Sequence, residues 1–156
     1  MGNDWSGSGG GGGAALTEHS VLATTGNGHG STNTKIRRFS VNTVTGTYIA
    51  YAESAANGAS FTIQTGGAGL YFISYTDGHS GLGFLGISRN SNQLATSVHS
   101  ITAAHCLAMT ATLSGDVGGI STMRWLSAGD VIRAHTTGVN DSTNAQTVQF
   151  YIVKVA

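Results

Sequence analysis

From residue 35 onward, apolar and polar residues alternate with a period close to two. That spacing puts one face of a β-strand in a core and the other outside it. The alternation predicts strands over 35–41, 47–53, 59–65, 69–76 and 82–89, then over 93–99, 107–113, 119–126, 130–137 and 146–155. Turn signals lie between them, among them Asn57-Gly58, Asp77-Gly78, Asn90-Ser91-Asn92 and Ala128-Gly129-Asp130. Many short strands at this spacing indicate a sandwich or a barrel. Residues 101–109 carry a helical stripe (Ala103, Ala104, Leu107, Ala108), but the stretch is short and lacks a stop signal, so it reads as strand or loop.

Two of these strands are apolar on both faces. Within 69–76, Leu70 and Phe72 oppose Tyr71, Ile73 and Tyr75; within 146–155, Val148, Phe150 and Ile152 oppose Tyr151, Val153 and Val155. A strand apolar on both faces is usually covered on both. One face serves the core of the chain, and the second needs another subunit or layer. This predicts an oligomer, with Tyr71, Ile73, Tyr75, Phe150 and Ile152 as the expected interface.

Residues 1–34 differ in kind. They hold the run Gly9 to Gly13 and the cluster Gly26-Asn27-Gly28-His29-Gly30. Glycine carries the largest backbone entropy and no side chain to pack, so this segment is expected to be an extended arm that does not fold alone. Its apolar residues, Trp5, Leu16, Val21 and Leu22, are the expected anchors onto a partner. The expected organisation is therefore an arm over 1–34 and one β domain over 35–156. The opening MGNDWSGSGGGGGAAL has no basic stretch followed by an apolar one, so it does not read as a signal peptide.

Composition narrows the function. Charged residues are 9% of the chain, against about 25% in an ordinary soluble domain. Seven Lys+Arg balance seven Asp+Glu, and proline is absent. Nucleic-acid binding needs clustered cations to displace counterions from phosphate, and only Lys35, Arg37 and Arg38 cluster. No apolar run approaches the ~20 residues of a membrane-spanning helix. Neither a nucleic-acid nor a membrane partner is expected. Cys106 is the single cysteine, so no disulfide framework or cysteine-based zinc site is expected.

One string imitates an enzyme. Ile101-Thr-Ala-Ala-His105-Cys106 matches the segment around the catalytic histidine of trypsin-like proteases, and Ser114-Gly-Asp-Val-Gly-Gly119 resembles their nucleophile segment. The nucleophile position is Val117, which has no oxygen to attack a carbonyl. The six histidines show no HxH or HExxH spacing, and the acidic residues fall mostly in turns. No catalytic, cofactor-binding or metal-binding residue is assigned, and no enzymatic activity is expected.

Several segments together resemble the globular head of complement-type and tumour-necrosis-factor-like jelly rolls. Ala59-Ser-Phe-Thr-Ile-Gln-Thr-Gly-Gly-Ala-Gly-Leu-Tyr-Phe-Ile-Ser is similar to a strand, a glycine turn and the Gly-x-Tyr-x-Ile strand of that family. Gly83-Phe-Leu-Gly-Ile-Ser-Arg-Asn resembles a strand closed by a polar turn, and Leu126-Ser-Ala-Gly-Asp-Val-Ile the Leu-x-x-Gly-Asp-x-Ile entry. Val148-Gln-Phe-Tyr-Ile-Val-Lys-Val resembles the closing strand. The resemblance spans about Thr47 to Ala156. It implies a jelly roll of about ten strands and a compact homotrimer packed around the last strand. A charge-poor version rich in Ser, Thr, Gly and Asn resembles bacteriophage virion proteins. It implies a capsid decoration protein or head fibre on the exterior of the particle, docked by residues 1–34 onto the major capsid protein or another virion protein. The alternative it implies is a receptor-binding tip of a tail fibre, whose loops 76–81 and 137–144 would meet a host glycan or protein.

Overall fold

A computed structural model describes residues 19–138, 140 and 142–156. Trp5 and Leu16 lie outside the described residues. The described chain is almost wholly β. In order the strands are β1 (Ser20–Gly30), β2 (Asn33–Thr45), β3 (Ile49–Ser54), β4 (Gly58–Ile63), β5 (Gly69–Gly78), β6 (Leu82–Gly83) and β7 (Leu85–Arg89). They continue as β8 (Cys106–Met109), β9 (Leu113–Ser114), β10 (Val117–Leu126), β11 (Val131–Thr136) and β12 (Gln149–Lys154). No described helix is long and apolar enough to cross a membrane.

Two antiparallel sheets face each other. The front sheet runs β10-β5-β12-β1-β2, and the back sheet holds β3, β4, β11, β7 and β8. β2 joins them, pairing with β1 along most of its length and with β11 at Ile36↔His135. A jelly roll of about ten strands is therefore observed, with β6 and β9 forming a separate small pair. Between the sheets, Phe61 stacks on Phe150 at 4.4 Å, and Phe39 and Tyr75 close around them at 6.4 and 5.7 Å from Phe150. Aromatic pairs in such geometry contribute about 0.5–1.5 kcal/mol each beyond the area they bury.

The boundary expected at residue 34 is corrected. Residues 20–30 form β1, paired on one side with β12 (Val21↔Ile152, Ala23↔Phe150) and on the other with β2. Among the described residues, the jelly roll begins at Ser20. Glycine did not prevent a strand here because Val21 and Ala23 supply the inward side chains and two existing strands supply the hydrogen bonds. Thr25 has a positive φ, yet the register with β2 holds through Gly26 and shifts only beyond it, between Gly26 and His29 and between His29 and Gly30.

A smaller correction concerns the stretch after β7. Residues 93–99 form no strand; they belong to a connection with 3-10 turns at Val98–Ser100 and Ala103–His105. This connection is pinned to β11 by His135, fully buried, whose Nε2 contacts the Thr96 carbonyl at 2.7 Å and whose Nδ1 contacts Ser88 Oγ at 3.1 Å.

Candidate interaction face

The register of the front sheet decides which residues look outward. Tyr71, Ile73 and Tyr75 on β5, and Phe150 and Ile152 on β12, are all fully buried between the two sheets of one chain. They build the chain's own core and are not available to another subunit. These five positions are corrected from interface to core, and the residues of opposite parity are the ones that look outward. The sequence carried a signal for this: Ser74, Thr76 and Gln149 share the alternate parity, and hydroxyls and amides tolerate a solvent-facing side.

Reading across the strands, the outward rows are Trp125–Leu70, Met123–Phe72–Val153–Ser20, Ser121–Ser74–Tyr151–Leu22–Thr43 and Gly119–Thr76–Gln149–Thr24–Val41. No acidic, basic or histidine side chain occurs at any of these positions. Trp125 is 64% exposed, Met123 50%, Val41 51% and Leu22 37%. Solvent-facing apolar surface of this extent normally marks a contact site, and depletion of charge is the compositional sign of an interface centre. Of the expected anchors, Leu22 lies on this face, whereas Val21 points the other way and is fully buried against the core.

The end of the sandwich away from Ala156 is built differently. Arg37, fully buried on β2, donates from Nε to Asp77 Oδ2 at 2.7 Å and from Nη2 to Oδ1 at 3.1 Å. Tyr75 donates its hydroxyl to Asp77 at 2.6 Å, and the Gly78 N–H donates to the same carboxylate at 2.8 Å. The guanidinium also donates to the carbonyls of Gly28 and Ser142. Burial, with Asp77 beside it, pushes the Tyr75 hydroxyl well above its usual range. Only glycine fits at position 26, since a Cβ there would sit 2.1 Å from the Ser142 carbonyl and 2.2 Å from Arg37 Nη2. Asn140 Nδ2 reaches the Gly78 carbonyl at 3.5 Å. Gly78 and Asn140, from the two loops named above, therefore meet, although they lie 62 positions apart in sequence.

His29 lies beside this cluster, its Nε2 3.1 Å from Thr136 Oγ1. Burial, together with the charges of Arg37 and Lys35, lowers its pKa to about 4.

The protease-like strings resolve into ordinary parts of the fold. His105 ends a 3-10 turn, with Nδ1 2.9 Å from the Arg89 carbonyl. Asp116 accepts the Val117 N–H at 2.8 Å at the start of β10, and Gly118 leaves room for Leu113, whose Cδ1 lies 2.1 Å from where a Cβ would stand. Burial pushes the Cys106 thiol up. Among the described residues, no three His, Cys, Asp or Glu side chains converge as a metal-binding group.

No protein-family model and no curated protein sequence matches the chain. Among solved structures, the crystal structure of murine APRIL at pH 8.0 superposes with a TM-score of 0.58 and 14% sequence identity, covering 87% of this chain and 98% of that one. APRIL is a tumour-necrosis-factor-family jelly roll. The fold here is a tumour-necrosis-factor-like jelly roll. Within that jelly roll, the charge-free face belongs to the front sheet, and β12, the closing strand of the resemblance, runs through its middle.

Proposed function

We propose that this jelly roll is a non-enzymatic structural protein of a virion exterior, a homotrimeric capsid decoration protein or head fibre. The observation that carries the reading is the outward face of β10-β5-β12-β1, where Trp125, Met123, Phe72, Tyr151 and Leu22 face outward with no acidic, basic or histidine side chain among them. The two flanks of this face differ, with Trp125 and Met123 on β10 and Leu22 on β1. Unlike patches favour a heterologous contact, which closes into a ring when the rotation permits. A three-fold ring around β12 is the assembly that the family resemblance implies. Residues 1–18 precede β1 and are the segment proposed to dock onto the major capsid protein or another virion protein. The charge-poor, hydroxyl-rich composition supports placement in a protein shell. The test is cryo-electron microscopy of particles carrying the protein. Density for three jelly rolls joined through the front sheet, with residues 1–18 entering the shell, supports the reading; jelly rolls attached singly through the back sheet overturn it.

A second reading is a receptor-binding module at a fibre tip. It is favoured by the meeting of Gly78 and Asn140, from loops 76–81 and 137–144, at the end away from the chain's C-terminus. Binding of the purified protein to host cells, lost when 142–146 is replaced by glycine and serine, would support it.

A further inference from the structure

The front sheet ends, on the side away from β10, at β2. Phe39 sits where this outer strand turns from the back sheet to the front one. Its N–H donates to Glu53 Oε2 at 3.3 Å, and its carbonyl accepts from the Tyr51 hydroxyl at 3.3 Å, so both groups point away from β1. Past Phe39 the direction changes: the Lys154 N–H donates to the His19 carbonyl, so alternation turns Ser20, Leu22 and Thr24 toward β2, where they bond Thr45, Thr43 and Val41, and leaves the N–H and C=O groups of Asn42 and Val44 pointing outward. Beyond Phe39, no side chain of β3 reaches them, and none of the described residues hydrogen-bonds to them. Residues 40–45 are all exposed, with Val41 at 51% and Val44 at 45%.

Natural edge strands are normally blunted by lysine, proline, a bulge or a covering segment. The stretch Ser40-Val-Asn-Thr-Val-Thr45 has neither lysine nor proline and pairs with β1 in unbroken register from Val41 to Thr45. It is β-branched at four of its positions, which suits a strand that is paired on both sides.

We propose that this edge pairs antiparallel with the same edge of a second copy, about a two-fold axis at Thr43, joining two front sheets into one. Self-pairing sets Thr43 opposite Thr43 and Val41 opposite Thr45. Such β-branched and Thr–Thr pairs are favourable, and the absence of charge removes the like-charge repulsion that a strand meeting itself would otherwise suffer. The contact also covers Val44, which shares a face with core residue Val21 and is left half open at the sheet's rim. An isologous contact of this kind is closed, so it doubles whatever unit the charge-free face builds and extends no further by itself.

The test uses the full chain in sedimentation velocity across a concentration series. Asn42→Pro removes an N–H that points outward, so the fold survives while the pairing is lost. Thr43→Lys sets two like charges together at the axis and does the same without touching the backbone. The expected result is a wild-type mass at high concentration twice that of either variant, with unchanged far-ultraviolet circular dichroism. Met123→Lys, on the charge-free face, separates the two interfaces: it reduces the basic unit but leaves the doubling. Wild type and Thr43→Lys of equal mass at every concentration would overturn the proposal, whatever the unit built by the charge-free face.

Discussion

Arg37 and Asp77 form a fully buried ion pair at 2.7 Å, although their strands, β2 and β5, are separated in the front sheet by β1 and β12. The pair spans the end of the sandwich above the core and gathers the carbonyls of Gly28 and Ser142 around one guanidinium. It holds β1, β2, β5 and the chain at Ser142 in one arrangement. Removing a single partner leaves an uncompensated buried charge, which costs about 3–5 kcal/mol. Asp77→Asn and Arg37→Met should each lower the unfolding free energy by that order, read as a fall in the urea midpoint. The double variant should recover part of the loss, since replacing both partners removes the stranded charge. Hydrogen exchange should rise first at residues 142–148.

Acid should destabilise the fold in a defined window. His29 titrates near 6.5 when unfolded and is held to about 4 when folded, by burial and by Arg37 and Lys35. Between those values the unfolded chain binds a proton that the folded chain refuses, so stability present above pH 6.5 is lost as pH falls toward 4. The loss from this one group is on the order of 2–3 kcal/mol. His135, whose pKa is lowered mainly by burial, acts in the same direction. Thermal melts from pH 7 to pH 4 should show a falling midpoint, and His29→Gln should flatten the profile over that range.

Glycine substitutions should separate two environments. Gly26→Ala drives a methyl into a backbone carbonyl and a buried guanidinium, neither of which can move without breaking the ion-pair cluster. Gly81→Ala meets nothing within 4 Å. The first should cost more than about 2 kcal/mol and the second should stay within about 0.5 kcal/mol, as surface changes usually do. Chemical denaturation of the two variants beside wild type checks this.

Much of the architecture was legible from alternation alone. Strands β5, β10, β11 and β12 lie close to where period-two spacing put them, because their inward residues are large and the turns around them carry Gly, Asn or Asp. The strand over residues 20–30 was hidden because glycine and threonine dominate it and its stability comes from neighbours on both sides. The interface residues were misassigned for a related reason. Alternation separates Tyr71, Ile73 and Tyr75 from Leu70 and Phe72, but both sets are apolar, and only the position of the back sheet decides which set lies inside. The Arg37–Asp77 pair is invisible in sequence, since forty residues lie between the partners and the contact crosses two intervening strands.

The central claim is that the charge-free outer face of the front sheet assembles the protein. Static light scattering of the purified full chain coupled to size exclusion, in wild type and in Met123→Lys and Leu22→Lys, tests it most directly. Both positions are solvent-facing in the single chain, so lysine there should leave the fold intact. The account predicts a wild-type mass that is a multiple of three chains and a folded species of lower mass in both variants. A folded wild-type monomer, or variants that keep the wild-type mass, would contradict it.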